Sequence, residues 1–460
     1  MNQDNDVVII GCGAAGGTAA QFARKTDRKS SITIFEKGKY PQYSKCGLPY
    51  AISGDVNKFD DLIEFSSDWF KNARINLLLN TTVEKIDVNN KIIFAKKEDT
   101  SIEKSYGSLV IATGAKPSVP PIKNIYEDDK LAEGVFVLRT ISDAEKISSN
   151  IKKGKNATII GAGFIGLEMA DTLYKKEMKI TVIEALPWIL PNTFDEDMAN
   201  IVFETLNKNI SVFTDHIATR IESKSGKIYK VFLKNNKTNE EKELPTDILI
   251  IGTGCKPDSL LAQNVGCKLG KLGHIIVNNK CETSVENLYA VGDCTQYIDF
   301  VTKKPVPIGL GSIAVRQGIA AGTNAAGGNY KLPDGVLQSC TSEFFGIEVA
   351  AVGPSTDNLK EIPIVSGKYT GYSRAEYFPG GKQICIKVFA DEKTGKIIAA
   401  QAIGDKSAKR INTFACAILN NMDIETFRKL ETTYAPPVAP TLDVETLVCD
   451  IVSMKINRKR

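Results

Sequence analysis

Short apolar runs recur along this chain, each broken by glycine and followed by a helical pattern. Val7-Val8-Ile9-Ile10 is continuously apolar, breaks into glycines, and gives way to a helix running through Ala19 to Arg24. Ile32-Thr33-Ile34-Phe35 is the next such strand. Strands apolar on both faces belong in a parallel sheet covered on both sides. Around residues 109–117 a strand ends in the turn Thr113-Gly114 and the chain leaves this first unit. The pattern restarts at Ala157-Thr158-Ile159-Ile160, and Ile180-Thr181-Val182-Ile183 follows a helix. Ile248-Leu249-Ile250-Ile251-Gly252-Thr253-Gly254 repeats the form of Ile111-Ala112-Thr113-Gly114. The chain thus reads as an internal duplication, with the second α/β unit inserted into the first. Past Leu332-Pro333-Asp334-Gly335 the character changes. Alternation over residues 383–388 predicts antiparallel strands, and residues 408–420 and 442–455 read as helices. The expected parts are 1–112 with 246–332, then 113–245 inserted, then an α+β unit over 333–460.

The glycines after the two leading strands carry chemistry. Gly11-Cys12-Gly13-Ala14-Ala15-Gly16 follows a strand, opens a helix, and is followed twenty residues after Gly16 by Glu36. In such a fingerprint the first glycine allows the tight turn and the second lets a pyrophosphate approach the backbone. The third lets helix and sheet pack closely, and the acid accepts from ribose hydroxyls. The helix N-terminus favours the phosphate charge. Gly161-Ala162-Gly163-Phe164-Ile165-Gly166 with Glu184 repeats the whole arrangement. An acid at Glu184 favours a free 2′-hydroxyl, hence NADH, with NADPH possible. Asn287-Leu288-Tyr289-Ala290-Val291-Gly292-Asp293 delivers an Asp at a strand end, suited to a ribitol hydroxyl, and marks the first nucleotide as FAD. Ala14, Ala15, Lys37, Thr113, Gly114, Ile165, Gly254 and Gly292 are the further positions expected against the two cofactors. Both sheets are then Rossmann-like. Glu168, two residues past Gly166, is expected near the junction of the two cofactors or in a packing role.

Between the fingerprints lies Tyr43-Ser44-Lys45-Cys46-Gly47-Leu48-Pro49-Tyr50. A chain that binds two dinucleotides can pass a hydride from nicotinamide to flavin, and a cysteine beside the flavin gives the electrons an outlet. Position 41 is Pro41 and position 51 is Ala51, so no cysteine pair spaced by four residues exists on either side. Whatever is reduced must join Cys46 from outside or be made on its sulfur. Cys12 and Cys294 are expected to pack as small residues, and the other seven cysteines show no pairing logic.

Length and composition narrow the class. The 460 residues predict about three domains. A net charge of +4 does not suggest nucleic acid, and no run reaches the ~18 apolar residues of a membrane span. An acidic start at Asp4 and Asp6 does not suit a secretory signal, and the cysteines lack disulfide or metal spacing, so a cytoplasmic protein without a metal is expected.

These motifs resemble the pyridine nucleotide–disulfide oxidoreductase family over nearly the whole length. The run Cys46-Gly47-Leu48-Pro49-Tyr50 and the late Tyr434-Ala435-Pro436-Pro437 resemble its single-cysteine branch of coenzyme A-disulfide reductases and NADH oxidases. The resemblance implies an FAD domain, an inserted NAD domain and a C-terminal dimerisation domain in a homodimer. It implies that Cys46 is the redox cysteine and that Tyr434, with Tyr377, reaches the other subunit's site as hydrogen-bond donor or acid. It also implies that Arg24, Gln42 and Lys45 meet the substrate, Arg24 through coenzyme A phosphates. The branch commonly has Asn where this chain has Lys45, and a Lys there is expected to lower the Cys46 thiol pKa.

The favoured reading is an FAD-dependent NAD(P)H:disulfide oxidoreductase acting on coenzyme A disulfide through a mixed disulfide at Cys46. One alternative is an NADH oxidase cycling Cys46 through sulfenic acid; Ala14 stands where many such relatives have His. Another is a sulfur or polysulfide reductase, against which the lack of a rhodanese-like part by residue 460 weighs. A non-enzymatic alternative is an NADH-responsive flavin-binding interaction protein. A C-terminal His–Glu mechanism lacks its histidine, since only His216 and His274 occur.

Overall fold

The strand Val7–Ile10 is buried along its whole length and pairs in parallel with Ile32–Phe35 on one side and Ser108–Ile111 on the other. In the computed structural model, which describes residues 6–307 and 309–459, these strands form the centre of a five-stranded parallel sheet. Its order is Leu288–Ala290, Ser108–Ile111, Val7–Ile10, Ile32–Phe35, Asn76–Leu78. A second sheet repeats the plan with Val135–Val137, Ile248–Ile251, Asn156–Ile160, Lys179–Ile183 and Ser211–Phe213. Each has a three-stranded antiparallel companion, Thr82–Asp87 with Ile92–Lys97 and Thr100–Ser105, and His216–Lys224 with Lys227–Asn235 and Glu241–Pro245. The duplication expected from the sequence is therefore present strand for strand.

One expected boundary is corrected. Residues from 246 onward were assigned to the first unit, yet Ile248–Ile251 pairs with both Val135–Val137 and Asn156–Ile160 in the second sheet. All four of its residues are buried, so it needs a neighbour on each edge and a cover on each face, and only the second sheet supplies them. The chain passes between the units through an antiparallel ribbon of Ala115–Pro117 and Cys255–Pro257.

The helix Ala14–Thr26 packs on Gly311–Ala325 with no room between the backbones. A Cβ on Gly318 would lie 2.4 Å from the Ala15 carbonyl oxygen, and one on Gly322 would lie 2.1 Å from that of Ala19. This crossing fixes where the helix Gly311–Ala325 begins, beside the first glycine loop.

The third sheet is antiparallel, ordered Cys340–Phe344, Ile347–Val352, Ile397–Gly404, Gln383–Asp391, Ile364–Tyr372. Helices Ser407–Leu419 and Val444–Lys459 cover it, near the expected 408–420 and 442–455. Phe344, Val349 and Ile403 of this sheet share one apolar core with Leu167, Val182 and Phe194 of the second unit. Lys387 adds ion pairs to Asp195 at 2.8 Å and Asp197 at 2.6 Å across the same boundary. Among the described residues no helix is long and apolar enough to cross a membrane.

Candidate active site

The two glycine loops have the same geometry. Gly11 and Gly161 both have φ +100°, where a side chain would be strained, and a Cβ on Gly16 or Gly166 would lie 1.9 Å from the carbonyl oxygen of Gly11 or Gly161. A Cβ on Gly13 or Gly163, by contrast, meets nothing within 4 Å, leaving open space above the first turn of each helix. That space and the helix N–H groups fit a pyrophosphate at each loop. The acids are set alike as well. Glu36 accepts from the backbone N–H of Cys12 and of Gly38, both at 2.7 Å. Glu184 accepts from the N–H of Ala162 at 2.8 Å and of Leu186 at 2.9 Å. Each carboxylate is thus aimed across the mouth of its loop. Ile165 is exposed at the start of its helix, an apolar surface beside the second loop.

Ala15 touches the turn at Gly292, where an added Cβ would sit 3.2 Å from Ala15 Cβ, so the first loop and the Gly292-Asp293 turn meet as the sequence implied. Gly292 has φ +79° and its N–H donates to Gln317 at 2.7 Å. Asp293 pairs with Arg139 at 3.3 Å. Arg139 was missed by sequence reasoning. Its Nη2 donates to the Ala115 carbonyl at 3.2 Å, while its buried Nε has no partner among the described residues. No periodicity or motif marks a lone arginine before a helix, and only tertiary contact places it here. Thr113 and Thr253 play matching parts, donating to the carbonyls of Asp258 at 2.5 Å and Ser118 at 2.6 Å, while Gly114 and Gly254 turn with positive φ. Lys37 lies 3.9 Å from Asp258. Cys12 and Cys294 are buried, as packing residues should be.

Cys46 lies in the 3-10 turn Lys45–Gly47, just before the helix Leu48–Ser53. Its Sγ faces the start of the helix Gly311–Ala325, 3.8 Å from where a Cβ on Gly311 would stand. The residue is exposed and unpaired. Partial desolvation of the thiol, then the Glu168 and Asp293 carboxylates, push its pKa up, against Arg139. This corrects the expectation that Lys45 lowers it: the opposing cation is Arg139, and burial followed by repulsion from Arg139 holds the Lys45 ammonium itself down. Glu168 accepts from Ser342 Oγ of the third domain at 2.5 Å, and burial raises its carboxyl.

Tyr377 and Tyr434 come together on two loops of the third domain, hydroxyl to hydroxyl at 3.1 Å, both exposed. That bond raises Tyr377, whereas bonds from Tyr377 and Thr441 lower Tyr434, the more acidic of the two. The substrate positions fare differently. Arg24 spends its guanidinium on the carbonyls of Ala73, Asp27 and Arg74, tying a helix end to a loop. Gln42 is buried against Gly17, and its Oε1 has no partner among the described residues. Arg24 is half-buried and Gln42 is buried; a helix-tail arginine and a loop glutamine look the same in sequence whichever way they turn.

Residues 5–318 match the family described as pyridine nucleotide-disulphide oxidoreductase, and residues 340–445 match its dimerisation domain. A protein named NADH oxidase from Methanocaldococcus jannaschii is 38% identical over 98% of this chain and 99% of its own length. An NAD(P)H sulfur oxidoreductase (CoA-dependent) from Pyrococcus abyssi is 32% identical over 95% and 96%. A coenzyme A disulfide reductase from Staphylococcus haemolyticus is 27% identical over 96% and 98%. The solved NAD-dependent persulfide reductase from A. fulgidus superposes with a TM-score of 0.93 at 34% identity, covering 98% of this chain and 84% of that one. With paired glycine loops, paired acids and a matching dimerisation domain, the chain belongs to the pyridine nucleotide–disulfide oxidoreductase family and is an NAD(P)H-dependent flavin oxidoreductase.

Proposed function

We propose that this chain is a cytoplasmic, homodimeric, FAD-dependent NADH:disulfide oxidoreductase that reduces coenzyme A disulfide through Cys46. The observation that carries the reading is the lone, exposed Cys46 sulfur beside the start of the helix Gly311–Ala325. No second cysteine is paired with it, so the sulfur it exchanges with comes from the acceptor. The Cys46 thiolate attacks one sulfur of the acceptor disulfide, that S–S bond breaks, and one thiolate leaves. A mixed disulfide between Cys46 and the retained half remains. FAD at the Gly11–Gly16 loop and NADH at the Gly161–Gly166 loop supply the two electrons that return Cys46 to thiolate and free the second thiol. Glu36 and Glu184 orient the two riboses, and an acid at Glu184 favours NADH over NADPH. Tyr434, more acidic through its bond from Tyr377, protonates the departing thiolate of the other subunit's site. The matching dimerisation domain supports the homodimer, and ten unpaired cysteines support a reducing compartment.

A second reading takes polysulfide or sulfur as the acceptor, and it is favoured by the names of relatives at 32% and 34% identity. Intact mass of the oxidised protein, with and without a thiol reductant, separates the readings. A reducible adduct of coenzyme A size on Cys46 supports the first, and added sulfur alone supports the second. One or two added oxygens point to an NADH oxidase cycling through sulfenic acid. An unmodified Cys46, together with undiminished acceptor turnover in Cys46→Ser, sinks both sulfur readings.

A further inference from the structure

The two tyrosine-bearing loops are far apart in sequence and share one buried anchor. The Tyr377 loop is closed at its base by Ser373, whose N–H donates to Lys382 at 2.9 Å while Lys382 N–H donates to Ser373 Oγ at 3.3 Å. The Tyr434 loop ends at Asp443, which starts the helix Val444–Lys459 by accepting from the N–H groups of Thr446 and Leu447. Arg410 stands on neither loop. It projects from the helix Ser407–Leu419, itself fixed at its start by Glu348, which accepts from the N–H of Lys406 and Ala408. Its Nε and Nη2 take the two Asp443 oxygens at 2.7 and 2.8 Å, and Nη2 also donates to the Ser373 carbonyl at 3.4 Å. Arg410, Asp443 and Ser373 are all buried. Glu445 is buried beside this pair, and desolvation, then Asp443, raise its carboxyl to about 8. At neutral pH Glu445 is therefore largely protonated, and Asp443 alone answers the Arg410 charge.

The geometry points to Arg410 as the positioning residue of the tyrosine pair: one guanidinium, bidentate on Asp443 and bonded to Ser373, sets both loops so that Tyr377 and Tyr434 meet. A planar fork is suited to this because it binds a carboxylate with two parallel bonds and keeps a further donor in plane. A lysine at the same place supplies one charge without the fork. The consequence for turnover rests on the reading of Tyr434 given above; the consequence for loop order does not.

The test uses the flavin-loaded full chain. Amide hydrogen exchange over residues 373–382 and 431–443 is compared in the parent, Arg410→Lys, Arg410→Gln and the charge-free pair Arg410→Met with Asp443→Asn. The last removes both charges together, so no buried charge is stranded to unfold the domain. Both loops exchange faster together in Arg410→Gln and in the pair, with Arg410→Lys only partly restoring them. NADH turnover is then measured with coenzyme A disulfide and with ferricyanide, a one-electron acceptor that does not need the tyrosines. Arg410→Gln lowers kcat with the disulfide roughly ten- to hundred-fold, leaves KM for NADH and ferricyanide turnover unchanged, and adds nothing to Tyr434→Phe. Unchanged exchange in either loop, or losses that multiply in the double variant, overturn the assignment. If both loops loosen but Tyr434→Phe itself keeps full disulfide turnover, the anchor stands and the role given to Tyr434 falls.

Discussion

Cys46 has a thiol pKa held above its ordinary value, and that sets a pH dependence. Only the thiolate attacks a disulfide, so alkylation of Cys46 by iodoacetamide accelerates about tenfold per pH unit between pH 7 and 8.5. A flat rate over that range would show a thiol already ionised. Cys46→Ser abolishes disulfide turnover but leaves ferricyanide reduction by NADH, which stopped-flow and steady-state assays distinguish. Glu445 gives a second prediction with its sign. Its folded pKa of about 8 exceeds the unfolded value, so the folded chain binds more protons between about pH 4 and 8 and stability falls as pH rises. Glu445→Gln removes that slope, gaining at most about 4 kcal/mol at pH 8 and little at pH 5 by denaturant melts. Glu36 and Glu184 were legible because each closes a motif of fixed local spacing. Arg139 was not, since its partners Ala115 and Asp293 are remote in sequence.

At the scale of elements, the helices Ala14–Thr26 and Gly311–Ala325 cross where Gly318 and Gly322 meet Ala15 and Ala19. A Gly322→Ala change has to part the helices, because the clash is with backbone and no side chain can give way. It costs about 1–3 kcal/mol and weakens flavin retention, measured as a lowered melting temperature and faster flavin loss on dilution. An unchanged melt would mean that the crossing is looser than its geometry. Nothing local in the spacing Gly318-x-x-x-Gly322 says which helix it meets. The strand Ile248–Ile251 teaches the complementary point. Its four apolar residues announce a buried strand and match Ser108–Ile111 in form, yet nothing local says which of two similar sheets takes it.

At the scale of the molecule, the second unit is locked to the third by a shared core and by Lys387 between Asp195 and Asp197. Burial raises both carboxyls, but the Lys387 ammonium, joined by the Thr356 hydroxyl at Asp195 and the Lys368 ammonium at Asp197, outweighs it and brings them below the usual range. Depressed carboxylates stabilise the fold above their unfolded pKa and lose that contribution as pH falls through the folded one. Lys387→Met therefore costs about 3 kcal/mol at pH 7 and shows a shallower loss of stability below about pH 4, checked by chemical melts across that range. An equal acid slope in the variant would place the titrating pair elsewhere.

The sequence alone determined what depends on neighbours along the chain. Glycine spacing, apolar runs and the acid at each strand end follow from local backbone geometry, so two nucleotide folds, their duplication, a third α+β unit and a solitary cysteine between the fingerprints were all readable. Tertiary structure decided what depends on groups brought together from afar. Gln42 packs against Gly17, and carbonyls from two segments bond Arg24. Desolvation, then Glu168, Asp293 and Arg139, rather than the adjacent Lys45, set the ionisation of Cys46. Electrostatics and packing act through space, and the distance between two residues in space is settled only once the whole chain has folded.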